Sequence, residues 1–176
     1  MRRTIGFVAA SALVVALAPS AASSPGRTTL ERQVSLERAV VRELNRTRAA
    51  HRLRALRFGE GLDVAAAQHS RSMLELGYFD HSSPDGMSFD QRIRRYYSSR
   101  GWRRWAVGEA LLTSSGEIGA QEVVQAWMNS PPHRAVLLSP VYRDAGLAVY
   151  YAPAAFGAFG GDSALVATAD FGLRER

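Results

Sequence analysis

The chain has 176 residues, 47% of them apolar, and a formal net charge of +6. All 22 basic residues are arginine, and there is no cysteine. Schiff-base and P-loop lysines, thiol nucleophiles, cysteine zinc clusters and disulfides are therefore excluded. Any chemistry falls to histidine, carboxylates, hydroxyls, arginine or the backbone.

Met1-Arg2-Arg3 gives a positive start, Ile5 to Ala18 an uncharged, mostly apolar run, and Pro19 to Ser23 a set of small residues. This is the pattern of a secretory signal peptide cleaved near Ala22. The run is short for a membrane span, which takes about 20 apolar residues. We expect residues 1–22 to be the signal peptide, 23–35 a linker, and 36–176 a single domain large enough to bury its core without disulfides. The expected location is secreted or in the cell envelope.

Leu36, Val40, Val41 and Leu44 recur at helical spacing between Glu31 and Arg48. Leu62, Ala65, Ala66, His69, Met73 and Leu76 form the stripe of a second helix, which Gly77 ends. Tyr78 to Gly86 reads as a loop with turn residues at Ser83-Pro84-Asp85-Gly86. Ser88 is placed to cap a short helix that turns Phe89, Ile93 and Tyr96 inward. Trp105 to Leu112 suits a strand, Ala120 to Met128 a helix burying Val123, Val124 and Trp127, and His133 to Leu138 a short helix after two prolines. Leu147–Tyr151 and Ala164–Phe171 are rich in strand formers and suggest an antiparallel hairpin. Helices first and strands last, with no βαβ alternation, predict an α+β layered sandwich.

The four histidines are the natural site candidates, and their surroundings differ. His51 lies in a polar connector and reads as exposed. His69 sits on the apolar stripe and reads as a satisfied core-edge histidine. His81, among turn residues, and His133, at a helix start, are each open to either a site role or a surface role. Glu109, between Gly108 and the apolar Ala110-Leu111-Leu112, is a carboxylate beside a buried-looking strand and needs a cation or donors. No His-Glu-x-x-His or i, i+4 histidine pair is present, so only the fold can assemble a metal site. Arg92, Arg94, Arg95, Arg100, Arg103 and Arg104, with Tyr96, Tyr97, Trp102 and Trp105 interleaved, read as a solvated helix face with inward aromatics. An anionic envelope polymer or lipid surface is the alternative partner there, and nucleic acid is not expected.

Several motifs together carry a family resemblance. They are Leu44-Asn45-x-x-Arg48, Ala66-x-x-His69-Ser70-x-x-Met73, Tyr78-Phe79-Asp80-His81-Ser82-Ser83-Pro84-Asp85-Gly86, Gly108-Glu109, Ala126-Trp127-Met128-Asn129-Ser130-Pro131-Pro132-His133-Arg134, Gly146-Leu147-Ala148 and Asp170-Phe171-Gly172. In this order they resemble the bacterial branch of the CAP superfamily (SCP domains; cysteine-rich secretory, antigen 5 and pathogenesis-related proteins), from about Leu36 to Gly172. The resemblance implies an α-β-α sandwich around an antiparallel sheet. It also implies a cleft of two histidines and two glutamates able to hold a divalent cation such as zinc. His81, Glu109 and His133 match three of those positions. Ser130 stands near the place of the second glutamate, and Ala110 replaces the usual asparagine after Gly-Glu. The resemblance further implies that Trp102 and Trp105 are core aromatics. The leading expectation is a secreted, monomeric binding module with a weak metal site at His81, Glu109 and His133. The alternatives are a metal-assisted envelope hydrolase with Glu109 as general base, or a lipid or anionic-polymer binder using Arg103 and Arg104.

Overall fold

A computed structural model describes residues 29–176. The signal-peptide reading of residues 1–22 and the first part of the expected linker, residues 23–28, lie outside the described residues. Among the described residues no helix is long and apolar enough to cross a membrane.

The expected elements are present, with longer strands than the periodicity marked. Helix α1 runs Val34–Ala50, α2 Glu60–Leu76, α3 Phe89–Arg94, α4 Ala120–Asn129 and α5 Pro131–Leu137. Strand β1 is Glu31–Arg32, β2 Arg57–Phe58, β3 Arg104–Ser114, β4 Asp144–Ala152 and β5 Ala164–Glu175. Glu31 and Arg32, placed above in the linker, pair antiparallel with Tyr151 and Tyr150. The ordered domain therefore starts earlier than Leu36. The strand order is β1-β4-β5-β3, with β2 joining β4 in parallel, so β3 is an edge strand and β5 lies inside the sheet.

Side chains alternate between the two faces of a strand. On one face Ala110 and Leu112 of β3, Leu147 and Val149 of β4, and Ala167, Ala169 and Phe171 of β5 pack with Val40 and Leu44 of α1, Val123, Val124 and Trp127 of α4 and Leu137 of α5. On the other face Leu111 and Val166 pack with Met73 and Leu74 of α2, and a second cluster joins Leu62 and Ala65 of α2 to Ile93 and Tyr97 of the α3 region. The result is the α-β-α sandwich that the sequence predicts.

Polar ties fix the layers. Ser70 Oγ of α2 donates to the Ala148 carbonyl at 3.1 Å and lies within hydrogen-bond distance, 2.8 Å, of the Thr168 hydroxyl. The Trp127 indole N–H of α4 donates to the Leu111 carbonyl at 3.0 Å. Arg48 of α1 is 1% exposed; its guanidinium donates to the carbonyls of Arg54, Leu137 and Ser139, two of them at the C-terminal end of α5. A cation there meets the negative end of the helix dipole and fixes α5. Two glycines are required by geometry. Gly77 ends α2 with φ +68°, a left-handed conformation that costs a residue with a side chain. At Gly146 a Cβ would run into the backbone of Leu62 and Asp63, so glycine lets α2 lie directly on β4.

Candidate functional site

The site is built on the sheet face that α2 and α3 cover. Glu109 of β3 lies directly opposite Asp170 of β5 in the strand register. With a strand period of two, both point away from the face that carries Ala110 and Ala169, toward α2 and α3. Both are buried, Glu109 at 4% exposure and Asp170 at 0%.

Three cationic or polar groups converge on Glu109. Loop residue His81 donates from Nδ1 to Oε1 at 2.7 Å. Arg92 of α3, 3% exposed, pairs with Oε2 through Nη2 and donates from Nη1 to the His81 carbonyl at 3.0 Å. His69 Nε2 lies 4.0 Å from Oε2. The short helix that carries Arg92 is set by its start: Gln91 returns its side chain to the Ser88 N–H at 3.2 Å, in a capping box. A paired, hydrogen-bonded carboxylate of this kind is tolerated in the interior; an isolated one is not.

His69 is the satisfied core histidine that the sequence predicts. Its Nε2–H donates to the Asp80 carbonyl at 2.9 Å, and the Tyr78 hydroxyl lies 3.3 Å from Nδ1 and 3.1 Å from Ser72 Oγ. Burial pushes its pKa down to about 4, against the smaller opposing pull of Glu109, so it is neutral at physiological pH. The Asp80 carbonyl bond also holds the start of the loop that presents His81.

His133 arrives from the opposite layer. Pro131, with its preset φ, begins α5 and puts His133 in its first turn. Because β3 is an edge strand, the loop from α2 and the start of α5 can meet there. The His81 and His133 rings lie 6.4 Å apart, centroid to centroid, and Phe89 stands 6.3 Å from His81 on the edge-to-face side. The two imidazoles are pushed in opposite directions. The hydrogen bond to Glu109 raises the His81 pKa, whereas burial, then the nearby His81 charge, lowers that of His133.

The structure thus brings His81, Glu109 and His133 into one neighbourhood, and leaves His51 exposed in its connector. It gives Glu109 a different place from that of a metal ligand. Both of its oxygens are engaged, by His81 and Arg92, and its side chain has no exposed surface. Among the described residues no group of three or more histidines and carboxylates is arranged to hold a metal ion. The residues therefore do not fit a three-donor zinc site. They leave two partly exposed imidazoles side by side, with Glu109 behind His81 fixing its ring and tautomer. Engaging Nδ1 in this way leaves Nε2 of His81 as the free nitrogen.

Two members of the network escape the sequence reading. Asp170 falls in the Asp170-Phe171-Gly172 triplet, whose resemblance to a kinase motif means nothing in a chain without lysine. Its signal is the one that marks Glu109: an acidic residue inside an otherwise apolar strand. Burial, then the adjacent Glu109 charge, raises its pKa well above the ordinary carboxyl range against the opposing pull of Arg92, and so favours the neutral acid. Arg92 is hidden among five other arginines. Helical spacing sets it beside Ile93 rather than with Arg94 and Arg95, and it alone of the six is buried. The neighbouring aromatics divide: Tyr97 is buried, Tyr96 is 40% exposed, and Trp102 and Trp105 are half-buried with arginines stacked on them. Trp102 is thus less of a core residue than the resemblance implies.

The fold is thus a three-layered sandwich with the His81–Glu109 pair and His133 brought together at the edge of its sheet. The family model for the cysteine-rich secretory protein (CAP) family matches residues 41–166, and the chain belongs to that family. The Bacillus subtilis protein YkwD is 35% identical over 104 residues, which are 58% of this chain and 38% of that protein. Among solved structures, an outer surface protein of Borrelia burgdorferi aligns with a TM-score of 0.65 at 22% identity, covering 84% of this chain and 99% of that one. An extracellular SCP-domain protein of Bacillus anthracis aligns with a TM-score of 0.61, also at 22% identity, covering 81% of this chain and 41% of that one. The chain thus spans well under half of YkwD and of the B. anthracis protein.

Proposed function

We propose that this CAP domain is an exported binding module whose cleft, at the β3 edge, recognises its ligand through the His81 and His133 imidazoles. A divalent cation such as zinc, when bound, would be held by those two nitrogens, with the remaining positions left to the ligand. The observation that carries this reading is the 2.7 Å bond from His81 Nδ1 to the buried Glu109, beside His133. It orients one imidazole toward the cleft and makes Glu109 a supporting residue.

The same observation weighs against the hydrolase alternative. A general base must reach the proton it removes, and Glu109 has no exposed surface and both oxygens engaged. Export is supported by the charged, apolar, then small-residue pattern of residues 1–22. It is also supported by the descriptions of two solved relatives as an extracellular and an outer surface protein.

Calorimetric titration with zinc at pH 7.5 tests the reading. Weak binding is expected in the wild type, with loss of the heat in His81→Ala and in His133→Ala. Glu109→Gln keeps both imidazoles but loosens the His81 ring, and should weaken affinity about 10- to 100-fold. Heats unchanged in both histidine variants would remove the imidazole cleft as the metal-binding element.

A further inference from the structure

Behind the loop that presents His81 lies a second pocket, of about 300 Å³, enclosed by α2, the 83–87 turn and α3. Gln68 and Ser72 line it from α2, Asp85 and Met87 from the turn, Arg92 from α3 and Arg95 from just past its end. Nothing in the reading of the imidazole cleft uses it. Its volume lies at the small end of the range for small-molecule sites.

Arg92 is the member that makes this a built site. Its guanidinium is fixed from the far side, through Nη1 to the His81 carbonyl and Nη2 to Glu109. Its Nε–H is buried and has no hydrogen-bond partner among the described residues. Buried donors are nearly always satisfied, and an orphan marks a place where a partner belongs. Arg95, one helical turn on, is exposed and makes no ion pair among the described residues. Asp85 is the one acidic side chain in the lining, and its Oδ1 is already engaged by the Met87 N–H at 3.1 Å. Donors outnumber acceptors, the formal charge is positive, and Arg95 offers the planar fork that matches a carboxylate.

We propose that this pocket binds a small carboxylate-bearing molecule, its oxygens on Arg95 and on the free Nε–H of Arg92, with Gln68 and Ser72 completing the polar contacts. Because the same guanidinium grips Glu109 and the His81 carbonyl, occupancy is felt at the His81 ring across the loop. The pocket does not depend on metal binding at the imidazoles, so failure of the zinc titration leaves it standing.

The test is NMR titration of the whole exported chain with acetate, lactate and succinate, alongside acetamide and inorganic phosphate. A carboxylate should give saturable shifts at the Gln68 side-chain amide and the Ser72 backbone amide, with smaller shifts at the His81 ring protons. Acetamide should give none. Arg95→Gln lies on the surface and should leave the fold intact while weakening affinity about tenfold or more; Gln68→Ala should weaken it less. Four results would overturn the proposal: equal shifts with acetamide, Arg95→Gln binding within twofold of wild type, phosphate binding more tightly than every carboxylate, or shifts spread over Arg100 and Arg103.

Discussion

On the α1/α4/α5 side of the sheet, the buried arginine is Arg48, and its bonds go to the neutral carbonyls of Arg54, Leu137 and Ser139. On the α2/α3 side the buried arginine is Arg92, and it meets a buried carboxylate, Glu109, with Asp170 and His69 packed close by. The first arginine fastens a helix end and leaves nothing over. The second sits where all three buried side-chain atoms without a partner among the described residues are found: Arg92 Nε and both oxygens of Asp170. Two side chains of the same type and burial thus do different things. A satisfied polar group in the interior reports architecture, and an incompletely satisfied cluster reports a site.

Removing each arginine is the sharpest way to break that comparison. Arg92→Met leaves Glu109 buried without its cation, and breaking a buried pair from one side costs about 3–5 kcal/mol. Arg48→Met leaves only neutral carbonyls unpaired, at about 1–3 kcal/mol. Denaturant midpoints with unchanged m-values measure both. Equal losses would mean that the two faces bear buried charge alike. Adding Glu109→Gln to Arg92→Met should recover part of the loss, because the stranded charge is then gone.

The next effect is pH-dependent and belongs to His69. Its folded pKa, about 4, lies below the ordinary 6.5. The unfolded chain therefore takes up a proton below pH 6.5 while the folded chain does not. Stability is fully present above that pH and is lost as pH falls toward 4, by about 3 kcal/mol. Comparing wild type with His69→Gln between pH 7.5 and 4 isolates this contribution, since the other titrating groups are common to both. Parallel curves would show that burial does not hold His69 neutral.

The two faces also differ in how far the sequence discloses them. The apolar face is written in periodicity: Val40 and Leu44 at helical spacing, Val123, Val124 and Trp127 on one stripe, and alternation along β5 place nearly every core residue. The polar face is legible only in part. Glu109 stands out because an acid flanked by apolar residues needs a partner, and the ordered motifs place His81 and His133 with it. Arg92 is the partner, but five nearby arginines mask it until α3 fixes which one turns inward. Sequence marks a carboxylate in need of a cation, and only packing reveals that Arg92 stands beside it. Likewise β1 is too short for any periodicity, and only its pairing with β4 defines it.

The last effect carries the opposite sign and tests the comparison most closely. Burial, and the Glu109 charge opposite, disfavour a second negative charge at Asp170 and favour its neutral form. Its folded pKa is raised, so its contribution to stability is fully present below the unfolded value of about 3.9 and is lost as pH rises toward the folded pKa. Near pH 7 the unfolded chain carries the carboxylate, so folding works against its ionisation. Asp170→Asn keeps the shape and offers an amide N–H to Glu109 without that cost. The variant should be more stable than wild type at pH 7, and the difference should shrink toward pH 4, as read by thermal melting across that range. A buried acid that its own amide improves is poorly explained as architecture. A loss of stability at pH 7 would instead mean that Asp170 is ionised and paired as Arg48 is, and the contrast between the two faces would collapse to one of composition.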